Sequence, residues 1–275
     1  MEGWTPEQLT YMLKFRHPEK LLAGMPGMSE SVSARVFGIS PARYRRLRGA
    51  AAERVRTAAA ELLADPAVAP LVQRLPFRPG QTLVGLGDSI TDDLESWVEI
   101  LRALIAAARP ELELTVINAG VSGDCTPQLI SRFLDVARSA PDWILCLAGT
   151  NDARRHGRRP VKTLVSLEET ERNLVALREF AATETAANWV WLTPPPVVEE
   201  RIAEHWFLGA MELAWRNHDL RAVAAAIRRQ PDAVVDLQPV FGSPPDPALL
   251  LPDGLHPSLA GQSAIVRALL HHLHT

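Results

Sequence analysis

Ser89, Asp253 and His256 are the residues of this chain whose types and spacing could do nucleophilic chemistry. Ser89 closes the stretch LVGLGDS (83–89), where a short apolar run climbs into two glycines. A serine between a strand end and a helix start is exposed at a sheet rim. Its backbone N–H lies at a helix N-terminus, which favours negative charge developing nearby. Such a serine also serves as a plain helix cap, so it counts as a nucleophile only with a base, an orienting acid and oxyanion donors around it. Phosphate binding is the rival chemistry for the same turn. The fingerprint G-x-G-x-x-G fails at position 90, which is Ile, and no lysine is near for a P-loop. Asp88 would also repel a pyrophosphate. The stretch is not G-x-S-x-G, which disfavours the nucleophile elbow of α/β-hydrolases.

The base must come from eight histidines. His256 stands in Pro252-Asp253-Gly254-Leu255-His256-Pro257. Pro257 restricts His256 to an extended backbone and can open a following helix. Asp253 lies three residues earlier, and Gly254 permits a tight turn between them. Asp253 can then reach the Nδ1–H of His256 and fix the tautomer that leaves Nε2 free for a hydroxyl. The spacing alone equally allows Asp253-Gly254 to be a surface turn. Among the others, His17 lies in the N-terminal region, and His205 and His218 fall in a helical stretch. His156 sits in the solvated loop RRHGRR, and His271, His272 and His274 read as a solvated helix end rather than a metal site. Oxyanion donors are offered by two loops. One is NAGVSGD (118–124), where a glycine lets a backbone N–H approach a substrate oxygen closely. The other is GTND (149–152), where Asn151 supplies an amide. Each loop has ordinary turn composition; the signal is their joint placement after successive strands.

Those strands are short apolar runs at 82–86, 113–118, 142–148, 188–193 and 232–236. Helical patterns separate and follow them, at 93–109, 126–139, 167–186, 199–229 and 258–273. Strict alternation implies a parallel sheet covered by helices on both faces. The prediction is an α/β fold, a flavodoxin-like three-layer α/β/α sandwich on a five-stranded parallel sheet, with an N-terminal helical extension. In such a sheet the working loops follow the carboxyl ends of the strands. Residues 1–80 read as helical. Thr5-Pro6-Glu7-Gln8 is a capping start, Ser40-Pro41 repeats it, and the Ala- and Arg-rich run 41–64 ends at Asp65-Pro66. Pro76 and Pro79-Gly80 mark the boundary, dividing a helical extension (1–80) from an α/β domain (81–275).

Composition narrows the class. A hydrophobic fraction of 47% suffices for a full core, and a net charge of −3 gives no electrostatic case for nucleic acid or an anionic membrane as the main partner. Lysine occurs only at Lys14, Lys20 and Lys162, a bias that reads as genomic rather than functional. Two cysteines, Cys125 and Cys146, make no disulfide framework. The N-terminus lacks a signal-peptide pattern, and there is no run of 18 apolar residues, so the expectation is a cytoplasmic protein without a membrane span.

With these residues assembled, the chain resembles the GDSL, or SGNH, hydrolase family over about 81–274. Gly87-Asp88-Ser89-Ile90 is similar to the family's first block, with Ile where Leu is usual. The stretches 118–124, 149–152 and 253–257 are similar to the second, third and last, in family order and with family-like spacing. Any one is weak; the four together are specific. The resemblance implies a serine hydrolase that cleaves carboxylic acyl esters through an acyl-enzyme, without metal or organic cofactor. It implies Ser89 as nucleophile, His256 as base and Asp253 as acid. The oxyanion hole would be the Ser89 and Gly123 N–H groups and the Asn151 amide. An acyltransferase would use the same triad with a hydroxyl acceptor in place of water. A binding or regulatory protein on an idle hydrolase fold is the reading from a different class. Residues 1–80 match nothing in the family's catalytic core.

Further expectations concern the surroundings. Asp88, Pro195, Trp206 and Phe207 are candidates to contact a small-molecule ester, with Pro194-Pro195-Pro196 as one wall and Trp215 in a possible acyl pocket; ordinary helix packing competes for the aromatics. Cys125 reads as a small residue beside the site rather than a second nucleophile. Asp92 and Asp93 read as favouring the next helix through its dipole. The stretch 28–48, with Arg43, Arg45, Arg46 and Arg48, has a weak helix-turn-helix look. The favoured role of the extension is packing on the catalytic domain or mediating homo-oligomer contact.

Overall fold

The computed structural model describes residues 4–273 apart from 23, 158, 160 and 161, so His274 lies outside the described residues. Among the described residues seven strands occur in chain order: β1 (Thr82–Gly87), β2 (Thr115–Gly120), β3 (Trp143–Leu147), β4 (Arg155–His156), β5 (Asn188–Leu192), β6 (Leu213–Ala214) and β7 (Ala233–Val235). Five of them form one sheet in the order β2-β1-β3-β5-β7, with every neighbouring pair parallel. Counting these five in chain order gives 2-1-3-4-5, the flavodoxin-like arrangement. The other two pair antiparallel as a two-residue ribbon.

Successive side chains of a strand point to opposite faces, and each face here has its own core. Leu83, Leu145, Leu147, Val190 and Leu192 join one buried cluster with the helices Pro41–Ala64, Trp97–Ala108 and Leu259–Leu273. Val84, Leu86, Ile144, Cys146, Trp189 and Trp191 join the other, with helices from Thr126 to Ala137, Leu167–Glu184 and Asn217–Arg228. The continuous apolar character of these strands follows from this two-sided burial. No helix among the described residues is long and apolar enough to cross a membrane.

The N-terminal 80 residues form the helices Pro6–Phe15, Pro18–Leu21, Glu30–Val36, Pro41–Ala64 and Ala69–Gln73. The first begins with the expected capping box of Thr5 and Gln8. Val55, Leu62, Val72 and Phe77 lie in the same cluster as the sheet residues. Each such side chain contributes roughly 1.5–3 kcal/mol of burial, so this region is fastened to the sheet by its apolar face. Arg45 and Arg48 pair with Glu30 and Glu19 of the same region.

Three expectations change. The second strand starts two residues later than expected, at Thr115, because Glu113 adopts a left-handed turn conformation. The 126–139 helix breaks at Arg132 into two pieces. The 199–229 helix does not exist as one element. It stops at Glu204, passes through a turn and β6, and restarts at Asn217. Gly209 makes that turn possible: a Cβ there would lie 2.2 Å from the Ala203 carbonyl oxygen. His205 therefore stands in the turn, outside any helix.

Candidate active site

The turn after β1 is built by its own residues. Asp88 caps the single helical turn Ser89–Asp92, with Oδ1 accepting the Ile90 N–H at 3.0 Å. This leaves the Ser89 hydroxyl on the rim of the sheet, partly exposed. The loop after the second strand must press against this turn. Gly120 allows it, since a Cβ there would meet the Asp92 nitrogen at 2.3 Å.

The C-terminal loop brings His256, the candidate base, to Ser89 from 167 residues away. The Leu251 N–H donates to the His256 carbonyl at 2.8 Å and the Gly254 N–H to the Leu251 carbonyl at 2.9 Å. Gly254 takes φ +71°, a left-handed value that suits glycine. Within this loop Asp253 Oδ1 accepts the backbone N–H groups of Leu255 and His256, each at 2.9 Å. Its Oδ2 faces His256 Nδ1 at 2.6 Å, and His256 Nε2 faces Ser89 Oγ at 2.9 Å. Burial opposes charge on Asp253, but the opposite charge of His256 and these hydrogen bonds outweigh it and hold the carboxyl below its usual range. A carboxylate that stays ionised keeps the Nδ1–H tautomer of the imidazole, and Nε2 is left to accept from the hydroxyl.

The oxyanion candidates share a cavity of about 100 Å³ with Ser89 and His256, lined by Gly123 and Asn151. Gly123 has φ +95°. The Asn151 amide is oriented at both ends: Nδ2 donates to the Asp124 carbonyl at 3.1 Å, and Arg154 donates to Oδ1 at 3.4 Å. Arg132 ties the loop to the sheet by pairing with Asp124 at 2.6 Å and donating to the Gly87 carbonyl at 3.0 Å. Asp152 accepts the Thr126 N–H at 3.0 Å, which binds the third loop to the helix after the second.

A family model described as the GDSL-like Lipase/Acylhydrolase family matches residues 86–264, more than half of the chain. The chain belongs to the GDSL-like lipase/acylhydrolase family. It is a carboxylic ester hydrolase. An acetylxylan esterase of Geobacillus stearothermophilus is 28% identical over 214 residues, covering 70% of this chain and 94% of that protein. Among solved structures, LAE5, an α/β hydrolase enzyme from the metagenome of Lake Arreo, Spain, is 28% identical with TM-score 0.56, over 72% of this chain and 96% of its own. The acetylxylan esterase Axe2 from Geobacillus stearothermophilus is 25% identical with TM-score 0.54, over 72% and 95%. Catalytic mutants of Axe2 each change one serine, one aspartate or one histidine to alanine, the latter two three positions apart.

Around this GDSL-type site the other candidates divide. Phe207 and Trp215 line the Ser89 cavity, and Trp215 is fixed by donating its indole N–H to the Thr150 carbonyl at 2.9 Å. Trp206, 39% exposed, instead lines a neighbouring groove of about 600 Å³ with His205 and Asp253. Asp88 does not face a substrate: it is 1% exposed and turned inward as a cap. Pro195 is likewise buried and does not line the cavity. The Cys125 thiol is pushed up to about 12 by burial and by the Asp152 charge, so it is no nucleophile at neutral pH.

The largest departure is the N-terminal helix. Tyr11, Met12, Phe15 and Arg16 all line the Ser89 cavity. Asp92 and Asp93, read from sequence as dipole partners, are buried instead under cations of this segment. Asp92 accepts from His17 Nδ1 at 2.7 Å and from Lys20 at 2.6 Å; Asp93 faces Lys14 at 3.3 Å. The i,i+4 pair Tyr11/Phe15 behind a strong cap was visible in the sequence. Its target was not.

Proposed function

We propose that this protein is a serine esterase of small acyl groups, working through Ser89, His256 and Asp253 and a covalent acyl-enzyme. The observation that carries the reading is the unbroken relay from Asp253 Oδ2 to His256 Nδ1 at 2.6 Å and from Nε2 to Ser89 Oγ at 2.9 Å. As Ser89 Oγ attacks the ester carbonyl, its proton passes to Nε2, and Asp253 stabilises the imidazolium. The carbonyl oxygen becomes an oxyanion facing the Ser89 and Gly123 N–H groups and the Asn151 amide. Collapse expels the alcohol, which takes the proton from Nε2. Water then repeats the sequence on the acyl-enzyme.

Cavity size supports a short acyl group. A cavity of about 150 Å³ takes a benzene ring, six non-hydrogen atoms. In proportion, about 100 Å³ holds about four, which suits acetyl or propionyl. The similarity to an acetylxylan esterase of Geobacillus stearothermophilus favours the same acyl class, and an acetylated sugar is a natural first substrate to try. The test is turnover of p-nitrophenyl acetate by the wild type and by Ser89→Ala. Loss of turnover in Ser89→Ala supports the reading, and retained turnover overturns it.

A further inference from the structure

One N-terminal segment touches three of the loops that make the site. Helical spacing puts Tyr11 and Phe15 on one face of Pro6–Phe15, while Leu9 and Leu13 bury against Phe37 and Tyr44 in a small cluster of their own. The Tyr11 hydroxyl donates to Asp253 Oδ2 at 3.1 Å, the same oxygen that holds His256 Nδ1. The Phe15 ring stacks on the His256 imidazole, with centroids 4.1 Å apart and planes 26° apart.

The segment is anchored at both neighbouring loops. Lys14 bridges Asp93 and Glu95, just after the nucleophile, at 3.3 and 2.6 Å. Lys20 donates to the Gly120 carbonyl at 2.9 Å. Asp92 Oδ1 accepts from His17 and Lys20, while its Oδ2 takes the Ser122 N–H at 3.0 Å and hydroxyl at 2.8 Å. The residue beside Gly123 is thus tied through one buried carboxylate to the N-terminal segment. The family match begins at residue 86, downstream of all the N-terminal residues named here.

We propose that the helix Pro6–Phe15 is a wall of the catalytic pocket, in which Tyr11 positions the Asp253–His256 pair and Phe15 limits the acyl group. This rests on the assignment of Ser89, His256 and Asp253 made above. The phenol holds Oδ2 in line with Nδ1 while the backbone N–H donors hold Oδ1. The Phe15 ring fixes the imidazole plane and closes the cavity on that side.

The test uses the full chain with Tyr11→Phe, Phe15→Leu and Phe15→Ala, each first shown to melt as a folded protein. Tyr11→Phe keeps the ring and deletes one hydrogen bond to a charged group. We expect kcat to fall about tenfold with KM within about twofold, the scale of one such bond. The downfield proton resonance of the His256 Nδ1–H should also move. Phe15→Ala should raise the butyrate-to-acetate ratio of kcat/KM at least about tenfold, a change of roughly 1.4 kcal/mol, with Phe15→Leu between. Wild-type kcat and an unmoved resonance in Tyr11→Phe, or an unchanged acyl preference in Phe15→Ala, overturns the proposal. A wild-type chain that turns over no ester counts against the function reading instead, and the resonance comparison still decides the role of Tyr11.

Discussion

Asp88→Asn should stabilise this protein at neutral pH and not in acid. Asp88 is 1% exposed, and its Oδ2 has no hydrogen-bond partner. Burial pushes its carboxyl from 3.8 up to about 6, and the Ile90 N–H, the nearby Thr150 hydroxyl and the His256 charge offset this only in part. The folded-state value lies above the unfolded one, so the fold binds more protons between about pH 4 and 6. The contribution of this carboxyl to stability is therefore fullest below the unfolded value and is lost as pH rises through the folded one. A rise from 3.8 to about 6, at 1.36 kcal/mol per unit, amounts to about 3 kcal/mol of strain carried at pH 7. Asparagine keeps the Oδ1 acceptor for Ile90 and replaces the unpartnered oxygen with a donor. For 275 residues, about 3 kcal/mol corresponds to a rise in Tm of about 5 °C. Calorimetry of both proteins at pH 7.5 and pH 4.5 checks this. Asp93, also raised to about 6, is common to both and cancels in the difference. A Tm for Asp88→Asn at or below wild type at pH 7.5, or the same offset at both pH values, would refute the reasoning.

Asn151→Ala removes one of the proposed oxyanion donors and should lower kcat by about 10²–10³ with little change in KM; a loss under threefold in steady-state assays argues that the amide serves only to hold Asp124. Gly120→Ala places a Cβ 2.3 Å from the Asp92 nitrogen, against backbone that cannot move aside. It should displace the Ser89 turn, and wild-type kcat in a soluble variant would contradict that. Lys14→Met strips the cation from buried Asp93 and leaves Glu95 with Arg54 alone, and should cost about 3 kcal/mol in urea unfolding at pH 7; an unchanged midpoint and slope would count against it.

Much of this architecture is legible in the chain itself. The five strands stand out because burial on both faces demands continuous apolar runs, and the loops that matter follow from parallel topology. Asp253 and His256 are readable because their pairing is local, three residues across a glycine turn. Tyr11 and Asp253 are 242 residues apart, and no local spacing encodes that helix docking on that loop. The lysine bias conceals a clue: two of the three lysines, Lys14 and Lys20, neutralise carboxylates that follow Ser89. The 199–229 pattern misleads because Leu208 and Trp215, spaced like a helix face, are buried from a turn and a short loop beside β6 instead. Periodicity reports which residues are buried, and here a turn buries them.

Where the acyl group goes is the most direct question to put to this enzyme. Mixing the wild type with a slowly deacylated ester, quenching in acid and mapping the adduct by peptide mass locates it. The acyl mass on Ser89, absent from Ser89→Ala and from unreacted protein, is the result that a Ser89 nucleophile predicts. Acylation of another residue, or steady turnover with no adduct at Ser89, would contradict it.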